Sequence, residues 1–250
     1  MTFRNPRSGR LILLGLAALV ASIAVACGED PAEPAPEITP PDPVLILGDE
    51  ATEDSVYTIL TEAGVDVVLG PPYYQWDGTG LDSISAVIFL NGYDYGFAVA
   101  DSVQAALIDF VAAGGGLMTT EWLLWNAGRG DYDDVAAIAP AVYDYDYDYG
   151  TEDYTVEMAG HPIADGLPAT FAVPDSGWSY AYVVADTAAA KEAVVVITGS
   201  VSGDAVVAGR WGDGRTVHWN MAGQYDGDDI WAPEVRQLLV NIVTFISGGS

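Results

Sequence analysis

Cysteine is almost absent from this chain: Cys27 is the only one. A lone cysteine cannot close an intramolecular disulfide. With none after it, thiolate catalysis is excluded from the rest of the chain. Lysine is as scarce, with Lys191 alone, and Lys and Arg together number 8 against 36 Asp and Glu, a formal net charge of −28. A chain without a basic face has nothing to neutralise phosphates with, so nucleic acid is excluded as a partner, and so is a protein-mediated contact with an anionic membrane surface. The 2 histidines, His161 and His218, lack partners at the His-x-x-x-His spacing of a zinc site. What this composition does provide is an acidic surface whose self-repulsion weakens as salt screens it.

The amino terminus carries a leader. Arg4, Arg7 and Arg10 precede an uncharged apolar run from Leu11 to Ala26, and small residues lead into Cys27. This is the pattern of a secretory signal, with too short a core for a first choice of spanning helix. Ala24-Val25-Ala26-Cys27 is similar to a bacterial lipoprotein signal. That resemblance implies acylation of Cys27, which then becomes the mature amino terminus. An ordinary signal peptide cut near Ala26 is the alternative. Gly28 is not the aspartate of inner-membrane retention, so the expectation is a lipid-anchored, extracytoplasmic protein at an outer membrane or the cell surface. Removing residues 1–27 takes away three arginines and no acid, which carries the net charge from −28 to −31. Residues 28–43 alternate Pro31, Pro34, Pro36, Pro40, Pro41 and Pro43 with acids and small residues and read as an extended tether. Residues 44–250 have the composition and length of one α/β domain.

Within that domain the organising stretch is Gly114-Gly115-Gly116-Leu117-Met118-Thr119-Thr120-Glu121-Trp122. It predicts a helix stopped by glycines, a short buried strand, then a sharp turn into another helix. Upstream, Val44-Leu45-Ile46-Leu47 is apolar throughout, as a central parallel strand requires, and ends at Gly48-Asp49. Helical spacing over residues 55–63, a strand over 65–69, a loop over 70–80 and a strand over 86–90 ending at Asn91 follow. Asp101 is then expected to cap a helix over 102–113. This order makes a right-handed parallel unit. In the second half, a short helix is expected near 131–139 and strands near 155–158, 171–173, 181–184, 193–197, 204–208 and 216–220. Gly212-Asp213-Gly214 marks a hairpin, and Pro233 opens a last helix with apolar residues at core spacing. Tyr143 to Tyr149 alternates tyrosine and aspartate, which places the two residue types on opposite faces of a strand.

Three places together resemble the class I glutamine amidotransferase-like superfamily, and within it the ThuA-like (trehalose-utilisation-protein-like) branch. They are the Gly114–Trp122 elbow, His161-Pro162-Ile163 with Gly166-Leu167-Pro168 and Phe171, and Gly209-Arg210-Trp211-Gly212 through Val217 with the closing helix. The resemblance implies an α/β three-layer sandwich with a mostly parallel, flavodoxin-like central sheet and extra β-strands in the C-terminal half. It also implies a nucleophilic cysteine at the elbow, or a histidine in the ThuA-like branch. Here Glu121 holds that position, and Gln224 stands where the family often has a later histidine.

In an open parallel sheet, ligands bind beyond the carboxyl ends of the strands. Glu121 at such an end could serve as a general base or be held by backbone amides, and His218 near the same end is the second catalytic candidate. Asp49, Asn91, Tyr93, Trp122, Gln224 and Tyr225 follow strand ends and mix aromatics with polar groups, a composition suited to sugar recognition as well as to packing. Asp144, Asp146 and Asp148 have alternating spacing, but Gly150 comes one place late for an EF-hand and Thr155 stands at the closing position, so calcium is left open only as a looser ligand. No other cofactor is implied. The expectation is a pseudoenzyme: an anchored module that binds carbohydrate or another envelope component. The alternatives are a sugar-directed hydrolase using Glu121 as acid/base and a calcium-stabilised structural subunit.

Overall fold

The computed structural model describes residues 42–49, 52–92, 96–120, 122–173, 179–220 and 229–248, with the backbone alone at 145–149, 179–180 and 229. The leader, Cys27 and most of the tether lie outside these residues. In chain order the elements are β1 (Val44–Leu47), α1 (Glu53–Glu62), β2 (Val67–Leu69), β3 (Ala86–Phe89), α2 (Asp101–Ala112), β4 (Gly116–Thr120), α3 (Trp122–Ala127), α4 (Asp133–Ala136), β5 (Ala141–Tyr149), β6 (Asp153–Val156), β7 (Thr170–Ala172), β8 (Ser179–Ala185), β9 (Val194–Gly199), β10 (Gly203–Trp211), β11 (Gly214–Trp219) and α5 (Pro233–Ile246).

Among the described residues the strands form one sheet in the order β2-β1-β3-β4-β11-β10-β9-β6-β7, with β8 paired to β10 and to β5. The first five are parallel neighbours. From β11 to β7 every pairing is antiparallel. The fold is therefore mixed α/β, with a parallel half built around helices and a mainly antiparallel half in which β8 meets β10 in parallel. The continuous apolar runs explain the first half: β1, β3 and β4 are buried along their whole length, as strands covered on both faces must be. Alternate residues feed two separate cores. Val44, Ile46, Ile88, Met118, Val217 and Trp219 pack with α1 and α5. Leu45, Leu47, Val87, Phe89 and Leu117 pack with α2, α3 and α4.

The antiparallel half starts at the Gly212 turn. Its φ of 58° lies in the left-handed region, which glycine adopts without strain, and this lets β10 fold back on β11 with Arg210 opposite Arg215. The Tyr-Asp run is the strand β5, paired on one side with β8. Asp101 does not cap α2. It is the first helical residue; Ala100 precedes it, and no side chain caps the end. The acid still sits favourably at the positive end of the helix dipole. Gln104 replaces a cap in joining elements: its Nε2 donates to Val99 O at 3.0 Å and its Oε1 accepts from Val135 N at 3.2 Å, tying α2 to α4.

A buried carboxylate fastens the far side of the sheet. Glu152 is fully buried. It accepts from Val201 N at 3.1 Å and Ser202 N at 3.0 Å, the amides of the β9–β10 turn, and from Ser200 Oγ at 3.4 Å. Gly199 makes room, since a Cβ there would overlap the carboxylate. Burial pushes the Glu152 pKa up, against the pull of those hydrogen bonds. Ionisation therefore weakens folding at this group: its contribution is fullest below the ordinary glutamate pKa and falls as pH rises through the raised value. Removing the acceptor at neutral pH nevertheless strands two buried amides. Glu152→Ala is expected to cost about 2–4 kcal/mol and Glu152→Gln, which keeps one acceptor oxygen, clearly less. Urea unfolding of both variants checks this.

Candidate functional site at the carboxyl edge of the sheet

Because β1, β3, β4 and β11 run parallel in register, their carboxyl ends lie side by side. The residues that follow them are Asp49, Asn91, the Thr120 end of β4 and Asn220. Four predicted positions, Glu121, Tyr93, Gln224 and Tyr225, lie outside the described residues, as do the side chains of Asp146 and Asp148. Asp49, Asn91, Trp122 and His218 are described, and all four are buried.

Three of these are joined by backbone contacts. Gly92 N donates to Asp49 Oδ2 at 2.6 Å, linking the ends of β1 and β3. Asn91 N donates to Thr120 Oγ1 at 2.9 Å, and Thr120 Oγ1 donates to Phe89 O at 3.2 Å, linking β3 to β4. Trp122 N donates to Asn91 O at 3.2 Å. Asn91 thus meets both the end of β4 and the start of α3, and Trp122 meets Trp125 edge to face at 5.6 Å. Asn91 Nδ2 donates to Tyr132 Oη at 3.2 Å, while its Oδ1 is buried with no partner among the described residues. Asn91 also lines a cavity of about 20 Å³ with Thr52, Gly92, Thr120, Trp219 and Ile230, room for about one water-sized group.

His218 belongs to a different face. It alternates with Val217 and Trp219, so its ring points to the side of the sheet that carries Leu117 and Thr119. Its Nδ1 shares a 3.0 Å hydrogen bond with Thr119 Oγ1. Asn220, next on that face, donates to Ser202 O at 3.3 Å and to Ala181 O at 2.5 Å. Its carboxamide faces the imidazole and favours protonation slightly, but none of the described residues meets Nε2 in hydrogen-bond geometry. Burial dominates: the His218 ring is wholly inaccessible and its pKa falls to about 3. His161 also has a fold-building role. It caps a short 3-10 turn at Pro162–Ala164 through Nδ1, which accepts from Ile163 N at 3.2 Å, and burial lowers its pKa.

Sequence reasoning passed over Tyr73 and Tyr132, whose hydroxyls both donate to Phe97 O. Burial raises both phenols, Tyr132 to about 12, so they remain protonated donors. Their only signal was aromatic density in two loops. Among the described residues no group of three or more His, Cys, Asp or Glu is gathered to hold a metal ion, and Asp144 is exposed. A larger cleft of about 790 Å³ lies at the opposite, amino ends of β3 and β4, lined by Gly80, Asp82, Ser85, Phe110 and Gly115 among others. It is wide open and lies at the end of the sheet opposite to the one where open α/β sheets hold ligands, so its size does not make it the site.

No family model and no curated protein matches this chain. Solved structures do. A cytoplasmic protein from Salmonella typhimurium superposes with a TM-score of 0.65 at 16% identity, over 82% of this chain and 98% of that one. A ThuA-like protein from Bacteroides uniformis gives 0.61 at 15% identity, over 86% and 95%. A cold-adapted β-galactosidase from Rahnella gives 0.55 at 15% identity, over 82% of this chain but 30% of that one. Likeness at these identities is one of fold. The structural neighbours of this chain thus include ThuA-like proteins.

The His218 environment has a pH signature. The folded state refuses a proton that the unfolded chain takes up below about 6.5. Stability from this group is therefore complete above that pH and declines as pH falls toward 3. The slope is up to about 1.4 kcal/mol per unit. Comparing urea unfolding at pH 7.5 and 4.5, the wild type should lose about 2–3 kcal/mol more than His218→Asn. Equal losses would contradict the buried, neutral imidazole.

Proposed function

We propose that this chain is a lipid-anchored, extracytoplasmic, amidotransferase-like domain that binds carbohydrate or a related envelope component and carries out no acyl-transfer chemistry. The helices are read as two outer layers on a flavodoxin-like sheet, with ligand held at the carboxyl edge. One observation carries the preference for binding over catalysis. The histidine closest to the elbow, His218, is sealed in the core, hydrogen-bonded to Thr119, and neutral down to a pKa of about 3. A ring that neither reaches solvent nor protonates near neutral pH is badly suited to shuttle protons for Glu121, since an effective acid/base works close to its own pKa. The same edge carries the loop that follows β3, whose Phe97 is exposed, and an exposed aromatic face recognises sugars by stacking. The similar part of a β-galactosidase lends some weight to the carbohydrate class. The leader pattern ending at Cys27 supports the anchored location.

The competing reading is a sugar-directed hydrolase with Glu121 as acid/base. Glu121→Gln separates the two. A binding module should keep its saccharide affinity within about threefold, and no saccharide should be turned over by wild type or variant. A hydrolase should show wild-type turnover that drops by about 100-fold or more in the variant, and that result would replace the binding reading. Binding is checked by calorimetry and turnover by release of reducing ends.

A further inference from the structure

The loop between β3 and α2 presents an aromatic ring to water. Phe97 is 48% exposed although it borders a densely aromatic part of the molecule. One side of its ring stacks on Tyr74, with centroids 4.4 Å apart and planes at 30°. Tyr74 meets Tyr73 edge to face at 5.3 Å, and Tyr73 packs against Phe89 at 4.9 Å in the core. The backbone of residue 97 is pinned equally well. Its carbonyl accepts from the Tyr73 hydroxyl at 3.2 Å and from the Tyr132 hydroxyl, and Tyr132 is tied in turn to Asn91.

Two features of this arrangement do not belong to simple packing. Burying a phenylalanine ring stabilises a fold, and here much of that gain is left unrealised. At the same time two buried hydroxyls fix the main chain of the very residue whose side chain stays in water. Rigid presentation of an exposed aromatic is how a binding surface keeps its ordering cost low. The loop leaves the carboxyl end of β3, where open α/β sheets hold ligands.

We infer that Phe97, backed by Tyr74, is a stacking platform for a pyranose ring, and that its ligand is an uncharged saccharide. The inference rests on the binding role proposed above and supplies the residue and the charge class. A pyranose offers one flat face of C–H groups, which packs on an aromatic face, while its hydroxyls remain for polar partners. The charge class follows from the net charge of −28: uronate and sulfated glycans are repelled by a field of that sign, whereas neutral chains are not.

The test is affinity electrophoresis of the intact chain through gels containing a galactan, a β-1,4-mannan or a β-glucan, with polygalacturonate as the anionic control. At least one neutral polysaccharide should retard the wild type. Phe97→Ala should weaken that retardation about tenfold, Phe97→Trp should preserve it, and the melting temperature of each should match the wild type. If Phe97→Ala does shift the melt, Phe97→Leu keeps the apolar bulk without the aromatic face. Undiminished binding by either non-aromatic variant overturns the platform and leaves the binding role standing. Retardation by polygalacturonate equal to that by the neutral chains overturns the charge class. A wild type retarded by none of the neutral polysaccharides overturns the platform and the carbohydrate reading together.

Discussion

Strand β4 is hydrogen-bonded on both sides, to β3 from Gly116↔Ala86 to Thr119↔Phe89 and to β11 from Gly116↔Arg215 to Thr120↔Trp219. All five of its residues are buried. Two parallel neighbours in register leave its carboxyl end only one place to emerge, between Asn91 and Asn220. The polar contacts at that edge depend on this pairing. Thr120 can bridge to Asn91, and Thr119 can meet His218, only because the three strands end level with one another. A one-residue slip would exchange the two faces of β4, placing Thr119 toward α5 and Met118 toward α2.

Most of the described polar groups at this edge serve the fold. Asp49 holds the Gly92 amide, Thr120 holds Asn91, Thr119 holds His218, and Asn220 reaches across to Ala181 and Ser202. His218, buried and neutral, is not open to a ligand as an acid or base must be. The aromatic shell differs. Its inner members, Tyr73 and Tyr132, are buried and directed at a single carbonyl, and its outer member, Phe97, is left exposed. In the proposed binding role the inner polar contacts supply rigidity and the outer ring supplies contact area, while an overwhelmingly acidic surface selects against anionic glycans.

Much of the parallel half was legible from local pattern. Val44–Leu47 and Ala86–Phe89 are apolar on both faces because both faces are covered, and glycines mark the helix ends at Gly64 and Gly114. The strand and hairpin positions of the second half also follow from short apolar runs and the Gly212 turn. What could not be read were contacts made across long separations. Glu152 looks like any surface acid in sequence, since its shorter hydrogen bonds come from the main-chain amides of residues 201 and 202, which have no compositional signature. Tyr73, Tyr132 and Phe97 come from three separate loops. The Asp101 assignment missed by one position because an acid just before a helical run suits a cap and a first-turn residue about equally. His218 illustrates the opposite difficulty: alternation placed it correctly on a strand, but nothing local to it reveals that the ring is sealed beneath Thr119 and the β8–β10 region.

In the proposed function, ligand is held at the carboxyl edge, over the aromatic loop that follows β3. Hydrogen–deuterium exchange of the intact chain, with and without a neutral polysaccharide that it binds, locates the ligand directly. Slower exchange in residues 91–100 and in the segments that follow β4 and β11, with no change in residues 78–85 or 113–116 at the amino end of the sheet, is the predicted footprint. Protection confined to the amino-end cleft around Gly80 and Gly115 would contradict it.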